Sequence, residues 1–511
     1  MSDAVDDVPT GPSSGPSPDA VPSPDPVLDP ALGLDPALAE YVPGASIALD
    51  DAERWPLLDA AGAGALDDVR RHRAAPRWRH ATGDRLVADD LPTLDAYDAR
   101  LRDEEASPAH ALPDWVTALV ARAHAVVPRY RRTPAARRGD VVALQDLVPV
   151  TRDDLRTDLA SFVPVDVPLD RVLEGTSSGS TGAAITLPLH PVFLVQDLRL
   201  VQHLVERAGV SWAPVDGRLG LVNLLDQRHA YTYASAMTGL RRALGQPAPS
   251  MARVNLDPSG WDSPDDRATY LSELDPQVLS STPLALLALA DLDLDLHPVA
   301  VVSGAAHLTP AARARVERTW GVPVVDLYGL TETGSVAART DDGPFVVVPG
   351  HVWVEVLDDA GRPVPDGTLG EVVVTTDENP YLPLLRYRTG DRARRVVRVV
   401  DGSTRVELHD LEGRAAVRYA REDGTWVAAV DATQILQSYG AAAWQLHQGA
   451  DGAIALDVVM DAGGSADRAG LDAAIARTLG RPVRSRAVPP SVLGEGRARR
   501  FSTDLAGGEG F

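Results

Sequence analysis

Along residues 114 to 132, DWVTALVARAHAVVPRYRR, apolar Trp115, Leu119, Ala123 and Val126 recur three and four apart, the spacing of one helical face, before Pro128 ends the pattern. Weaker periodicity predicts short helices around Trp55 to Arg73 and Leu91 to Arg102. Further on the texture changes. VAVVSG (299 to 304) is an unbroken apolar run closed by glycine, which predicts a buried strand. Thr309 followed by Pro310 marks a helix start, AARARVERTW carries the helix, and VPVVDLYG (322 to 329) predicts a second buried strand. Strand, helix and strand form a βαβ unit. Such parallel strands bind ligands beyond their carboxyl ends, so the turn at Gly304 and the segment from Gly329 are where chemistry is expected.

From about 350 to 400 short β-rich runs, HVWVEVLDD, GEVVVTT and ARRVVRVV, alternate with turn signals such as PDG and DDAG. They predict a β subdomain. In the last hundred residues an amphipathic helix, GLDAAIARTLG, lies between short β runs, as in a small α+β domain. Residues 1 to 45 hold ten prolines and no basic residue, too little apolar material for a core, and predict a disordered tail. The expected organisation is α/β: tail 1–45, helical extension 46–110 without functional signal, large domain 111–410 with βαβ sheets and a β subdomain, and small domain 411–511.

Composition narrows the function. With 511 residues and 44% hydrophobic content the chain can bury sizeable cores. Its 72 carboxylates outnumber 49 basic residues, every one of them arginine, for a net charge of -23. A general nucleic-acid partner is therefore not expected, because phosphate contacts need a basic surface. Without cysteine there is no disulfide, thiolate metal site or thiol nucleophile. MSDAVDDVPT lacks the charged and apolar regions of a signal peptide, and apolar runs such as PLALLALA are too short to cross a bilayer, so a cytoplasmic location without membrane partner is expected.

Three segments carry candidate chemistry. In EGTSSGSTGAAITLPLH (174 to 190), successive glycines and hydroxyl residues offer backbone and side-chain donors to a polyphosphate, although the GK[ST] ending of a Walker loop is missing. Gly175 to Gly179 also satisfies G-x-S-x-G, which would make Ser177 a nucleophile; but ITLPL downstream reads as a strand, and Pro188 disfavours the helix that such an elbow needs. In DLYGLTETGS (326 to 335), Tyr328 offers a ring for base stacking, Thr331 a phosphate donor and Glu332 a hard oxygen ligand for magnesium. In LRYRTGDRARR (385 to 395), Asp391 after Thr389 and Gly390 can accept from two ribose hydroxyls, though a TGD triplet alone is a common turn. DLDLDLH (291 to 297) mimics a calcium loop but has Leu296 where that turn requires glycine, and HExxH does not occur.

Taken together and in this order, the segments resemble the motifs of the adenylate-forming (acyl-CoA synthetase, AMP-binding) superfamily. The chain looks most like its phenylacetate-CoA ligase branch. VPRYRR, LVPVTRDDLR, TSSGSTG, LSSTPLALLALA, SGAAHLTPAARARVERTWGVPVVDLYGLTE, VPDGTLGEVVVTT and LPLLRYRTGD carry the resemblance over about four fifths of the chain. It implies an ATP- and magnesium-dependent ligase that converts a carboxylic acid, expected to be aromatic, into an acyl-adenylate and pyrophosphate, then passes the acyl group to an acceptor such as CoA. By position, Thr176, Ser177, Ser178, Gly179, Ser180, Thr181 and Gly182 would hold phosphates, and Gly304, Ala305, Asp326, Tyr328 and Gly329 would line the adenine pocket. Thr331 would contact the α-phosphate, Glu332 would ligate magnesium, and Asp391 with Arg414 would hold the ribose. His229, Tyr231 and Tyr233 fall in the substrate-lining segment, where aromatic core packing is an equal alternative. The resemblance further implies a mobile C-terminal domain, with a homodimer or a carrier-protein partner left open.

The chain departs from that pattern at several points. The phosphate-loop lysine falls at Ala183, an acidic adenine-pocket residue at Ala306 and the hinge aspartate near Ala416, and TWVAAVDATQIL stands where a glycine-rich stretch serves the acceptor step. These changes leave open an amine, carrier-protein or nitrite acceptor, or a nucleotide-binding homologue without turnover. The closing EGRARRF puts Arg497 where the resemblance implies a catalytic lysine. Arginine keeps the charge there but not the compact ammonium.

Overall fold

The computed structural model describes residues 49–103, 112–132, 143–177, 185–226, 230–243, 245–400, 403–413, 417–429, 431–460, 467–493 and 500–508. The strands of the main body are β1 (Leu173–Ser177), β2 (Ile185–Leu189), β3 (Leu221–Leu225), β4 (Tyr233–Ala236), β5 (Ser250–Asn255), β6 (Val278–Ser281), β7 (Ala300–Ser303) and β8 (Val324–Leu330). They continue through β9 (Gly334–Arg339), β10 (Phe345–Val347), β11 (Val352–Leu357), β12 (Leu369–Thr376), β13 (Leu384–Val400) and β14 (Ser403–Glu412). β1 and β2 pair as an antiparallel hairpin. The other strands build one 12-stranded sheet in the order β11-β12-β13-β14-β10-β9-β8-β7-β6-β3-β5-β4.

Five neighbouring strands of this sheet are parallel. β5, β3, β6, β7 and β8 run alongside one another, and β4 closes their edge antiparallel to β5. All four residues of β7 are buried, as an apolar run covered on both faces requires. The helix Pro310–Trp320 starts where the sequence placed it: Thr309 Oγ1 accepts from Ala312 N at 3.0 Å, and Gly321 ends the helix at φ +67°. The β-rich segment after 350 is present as an antiparallel half, hydrogen-bonded into the same sheet through β9 and β8 rather than standing apart.

Gly329 makes that turn possible. A Cβ there would lie 2.5 Å from the Gly334 carbonyl oxygen, beside the register shift between β8 and β9.

The expected early helices occur at Ala60–Arg70 and Leu91–Arg102. Trp55, Leu66 and Val69 are buried in the same cluster as Leu279, Leu286, Val301 and Val324, so the extension is part of the main core. Each such large apolar side chain contributes roughly 1.5 to 3 kcal/mol on burial. In the helix Asp114–Val126 the buried face is Val116, Leu119, Val120 and Ala123, rotated slightly from the face the spacing suggested. Trp115 accounts for the shift: its flat ring stacks on His351, with centroids 4.6 Å apart, and leaves Val116 to fill the core.

Beyond β14 come β15 (Arg418–Ala420), β16 (Trp426–Ala428), β17 (Ala441–Gln448), β18 (Ile454–Met460), β19 (Val483–Ala487) and β20 (Phe501–Thr503). The sheet β19-β18-β17-β20 packs with the helices Asp431–Ser438 and Arg468–Leu479 around Tyr419, Trp444 and Leu456. Ala442, Val459 and Leu493 instead join the main core, and the Thr309 hydroxyl donates to the Ala442 carbonyl at 2.7 Å. The resulting α+β arrangement matches expectation.

Candidate active site

Beyond the carboxyl ends of β7 and β8 the second and third motifs meet. Tyr328 Oη donates to Asp391 Oδ2 at 2.9 Å, tying the end of β8 to β13. Asp391 is 7% exposed; its N–H donates to Thr389 Oγ1, whose hydroxyl donates to the Val372 carbonyl, and Gly390 takes the turn at φ +78°. The TGD triplet is thus a turn, and one that holds a carboxylate against Tyr328. A Cβ on Gly413 would lie 3.9 Å from Asp391 Oδ1, which brings the chain just before Arg414 to this carboxylate.

The first motif arrives from the other side. A Cβ on Gly175 of β1 would lie 3.2 Å from Thr331 Cγ2, so β1 runs against the threonine that follows β8. Glu332 is 2% exposed, and its Oε1 accepts from Arg152 Nη1 at 2.8 Å. Arg152 opens the helix Arg152–Asp158, whose capping box joins Thr151 and Asp154. Among the described residues no group of three or more His, Cys, Asp or Glu is disposed around a metal, and Glu332 Oε2 accepts no hydrogen bond. One carboxylate with a spare oxygen fits magnesium, which takes few protein ligands and completes its shell with water and phosphate oxygens. Behind this residue, Ser335 N donates to Asp197 Oδ1 at 3.4 Å, and burial pushes the Asp197 carboxyl up to about 6.

Not every predicted residue faces open space. Asp326 is 1% exposed and ion-paired with Arg339 at 2.8 Å, and Arg339 also donates to the Leu308 carbonyl. The aspartate therefore braces the segment after β7 from below. Burial pushes its carboxyl up to about 6 despite the nearby arginines. Gly329 serves the β8–β9 turn. Gly304 N donates to the Ser281 carbonyl at 3.1 Å, while exposed Ala305 adopts φ +62°, a left-handed conformation uncommon outside glycine and one that collects at ligand sites.

At the other end of the sheet Tyr231 and Tyr233 meet His80, edge to face, with ring centroids 5.4 and 5.9 Å away. Tyr233 of β4 pairs in register with Arg253 of β5. Burial first, then the charges of Arg253 and Arg54, lower the His80 pKa, so the imidazole is neutral near pH 7. Thr176 and Ser177 end β1, which turns back through a strand and not into a helix; the nucleophile-elbow geometry is absent. Ser178, Gly179, Ser180, Thr181, Gly182, His229, Arg414 and Arg497 lie outside the described residues, as do Ala183 and Ala416.

Sequence reasoning missed Arg152, His80, Arg253 and Arg500. Arg152 had a signal, since VTRDDLR places it directly behind a capping threonine. His80 had none, because its neighbours come from strands more than 150 positions away. Arg500 is partly buried beside Trp444 and Phe501, and burial lowers its pKa to about 10.

Residues 251–379 match the AMP-binding enzyme family. The chain is 30% identical to the phenylacetate-coenzyme A ligase of Aromatoleum evansii over 54% of its own length and 63% of that protein's. It is likewise 30% identical to the enzyme of that name from Pseudomonas putida, over 52% and 62%. The chain is similar to these ligases over a region that spans less than two thirds of their length. Among solved structures, 2-hydroxyisobutyryl-CoA ligase in its postadenylation state superposes with a TM-score of 0.57 at 19% identity, covering 79% of this chain and 92% of that one. That likeness establishes the adenylate-forming fold.

Proposed function

We propose that this chain is an ATP-dependent ligase that adenylates a carboxylic acid, releases pyrophosphate and passes the acyl group to CoA. The observation that carries the reading is the convergence of Thr331, Glu332 and the Tyr328–Asp391 pair beside β1, inside and next to the segment that matches AMP-binding enzymes. Homology to phenylacetate-coenzyme A ligases supports the reaction class and an aromatic acid.

In this proposal residues 111–410 form the nucleotide-binding domain and 411–511 a small domain that moves during turnover. The segment Thr176 to Gly182 holds the phosphates and Thr331 contacts the α-phosphate. Asp391, fixed by Tyr328, accepts from ribose hydroxyls, with Arg414 beside it; Gly304, Ala305 and Tyr328 border the adenine. Glu332 would hold magnesium, which when bound offsets phosphate charge. Arg152 pairs with the Glu332 carboxylate and orients it in its buried position. Arg497 supplies the cation that offsets charge developing between carboxylate and α-phosphate. Tyr231 and Tyr233, with His229, border the acid. We place the protein in the cytoplasm, in secondary metabolism.

Pyrophosphate exchange against a panel of carboxylic acids tests the reading. Wild type is expected to exchange with at least one acid, and Arg497→Ala to lose about two to three orders of magnitude, since one well-placed donor to developing charge is worth roughly 3 to 4 kcal/mol. ATP binding without exchange for any acid would sink the ligase reading in favour of a nucleotide-binding homologue.

A further inference from the structure

The acyl end of the site holds a cation that the described residues leave without an anion. Arg253 is half-buried and its Nε is buried without a hydrogen bond; among the described residues it makes no ion pair. Neighbouring arginines are matched: Arg54 with Asp51, Arg77 with Asp262 and Arg242 with Asp59. In a chain of net charge -23 with 72 carboxylates, a guanidinium inside the fold without a partner is conspicuous. A buried polar group without a partner costs free energy that a ligand can recover.

Its place in the sheet points to the acid. Cross-strand register runs from Tyr233 through Arg253, Asn223, Ser280 and Val302 to Val325, so all six occupy one row. Arg253 shares its face of β5 with Met251, which packs on the same apolar cluster as Val302 and Val325. It stands two residues from the carboxyl end of β5, on the side where a parallel sheet binds ligands. β1 links the two ends of the site: Glu174 acts electrostatically on His80, and the next residue, Gly175, lies against Thr331.

We propose that Arg253 binds a second acidic group on the substrate, so that the acids this chain activates are dicarboxylic, one carboxylate being adenylated near Thr331 and the other paired with Arg253. Guanidinium presents two parallel donors that fit a carboxylate, and neutral His80 with Tyr233 beside it adds polar edges without competing charge. Four strand spacings of about 4.8 Å separate β5 from β8, roughly 19 Å between backbones. After the reach of the arginine side chain, a ring or an extended chain spans the rest, so an aryl or long-chain diacid fits and a malonate-sized one does not.

The inference rests on the adenylating function proposed above, and its test separates the two. Pyrophosphate exchange is measured for matched acids on one spacer, benzoate with terephthalate and phenylacetate with 4-carboxyphenylacetate, in wild type, Arg253→Ala and Arg253→Lys. Wild type is expected to favour the diacid of at least one pair by tenfold or more in kcat/KM. Arg253→Ala should remove that preference by losing at least tenfold on the diacid and less on the monoacid, and Arg253→Lys should restore part of it. Equal use of both acids by wild type, or equal losses on both in Arg253→Ala, would overturn the assignment. If no acid supports exchange, the adenylating reading fails by itself, and thermal shift with the same acids decides the binding claim. Stabilisation by a diacid in wild type but not in Arg253→Ala upholds it, and identical shifts refute it.

Discussion

The two ends of the candidate site are built on opposite principles. At the β7–β8 end three carboxylates already have a protein partner: Glu332 holds Arg152, Asp391 holds the Tyr328 hydroxyl, and Asp326 holds Arg339. At the β4–β5 end His80 is kept neutral and Arg253 has no carboxylate among the described residues. Internal pairing costs nothing at the moment of binding and suits a ligand that is always the same, as ATP is. An unfilled donor set waits for the ligand to complete it, which suits the component that varies between related enzymes.

The contrast can be broken first at Glu332. Glu332→Gln removes the proposed magnesium ligand and the buried ion pair with Arg152, so exchange should fall by two orders of magnitude or more, with a lower Tm from the lost pair. An unchanged rate would show that the paired end is scaffold only. Next in size, Tyr328→Phe and Asp391→Asn should each raise KM for ATP about tenfold, as expected for a hydrogen bond to a charged group worth roughly 1.5 to 3 kcal/mol. The double mutant should be no worse than the poorer single one. Additive losses would mean that the two residues act apart.

Asp197→Asn sharpens the comparison through pH. The folded-state pKa of Asp197 is raised by burial to about 6, so this carboxyl stays protonated in the folded chain at pH values where the unfolded chain has released its proton. Its contribution is fully present below about pH 4 and is lost as pH rises towards 6 and beyond. Relative to Asp197→Asn, wild type should therefore lose stability over that interval, by on the order of 2 kcal/mol. Chemical denaturation at a series of pH values checks this, and parallel curves would contradict it. The smallest effect is expected from Thr309→Val, about 1 kcal/mol from the lost cap, without change in exchange kinetics.

Where residues act through their own neighbours, the sequence was easy to read. Thr309–Pro310, the β7 and β8 runs and the helix Pro310–Trp320 all declare themselves locally, whereas the second and third motifs sit on β8 and β13 of one sheet with three strands between them. Illegible features depend on contacts between distant segments. Nothing in DLYGLTE announces that Asp326 is a buried brace, because that depends on Arg339 arriving from β9. Likewise His80 belongs to the site only through the docking of an extension that carried no motif, and Arg253 stands out only once the neighbours that could have neutralised it are known not to. Trp115 was placed one step away from the truly buried face because amphipathic spacing cannot foresee a stacking partner such as His351.

The Thr309 hydroxyl has a consequence for the order of assembly. It accepts from the helix it caps within a few residues of itself, and it donates to Ala442, more than 130 positions later. During synthesis the first bond can form long before the second partner exists, so the helix is capped while its outer surface, later covered by Ala442, Val459 and Leu493, is still bare. A nascent or truncated chain lacking residues after 440 therefore exposes an apolar patch on an otherwise finished body. The segment that covers this patch is thus made well after the body it protects.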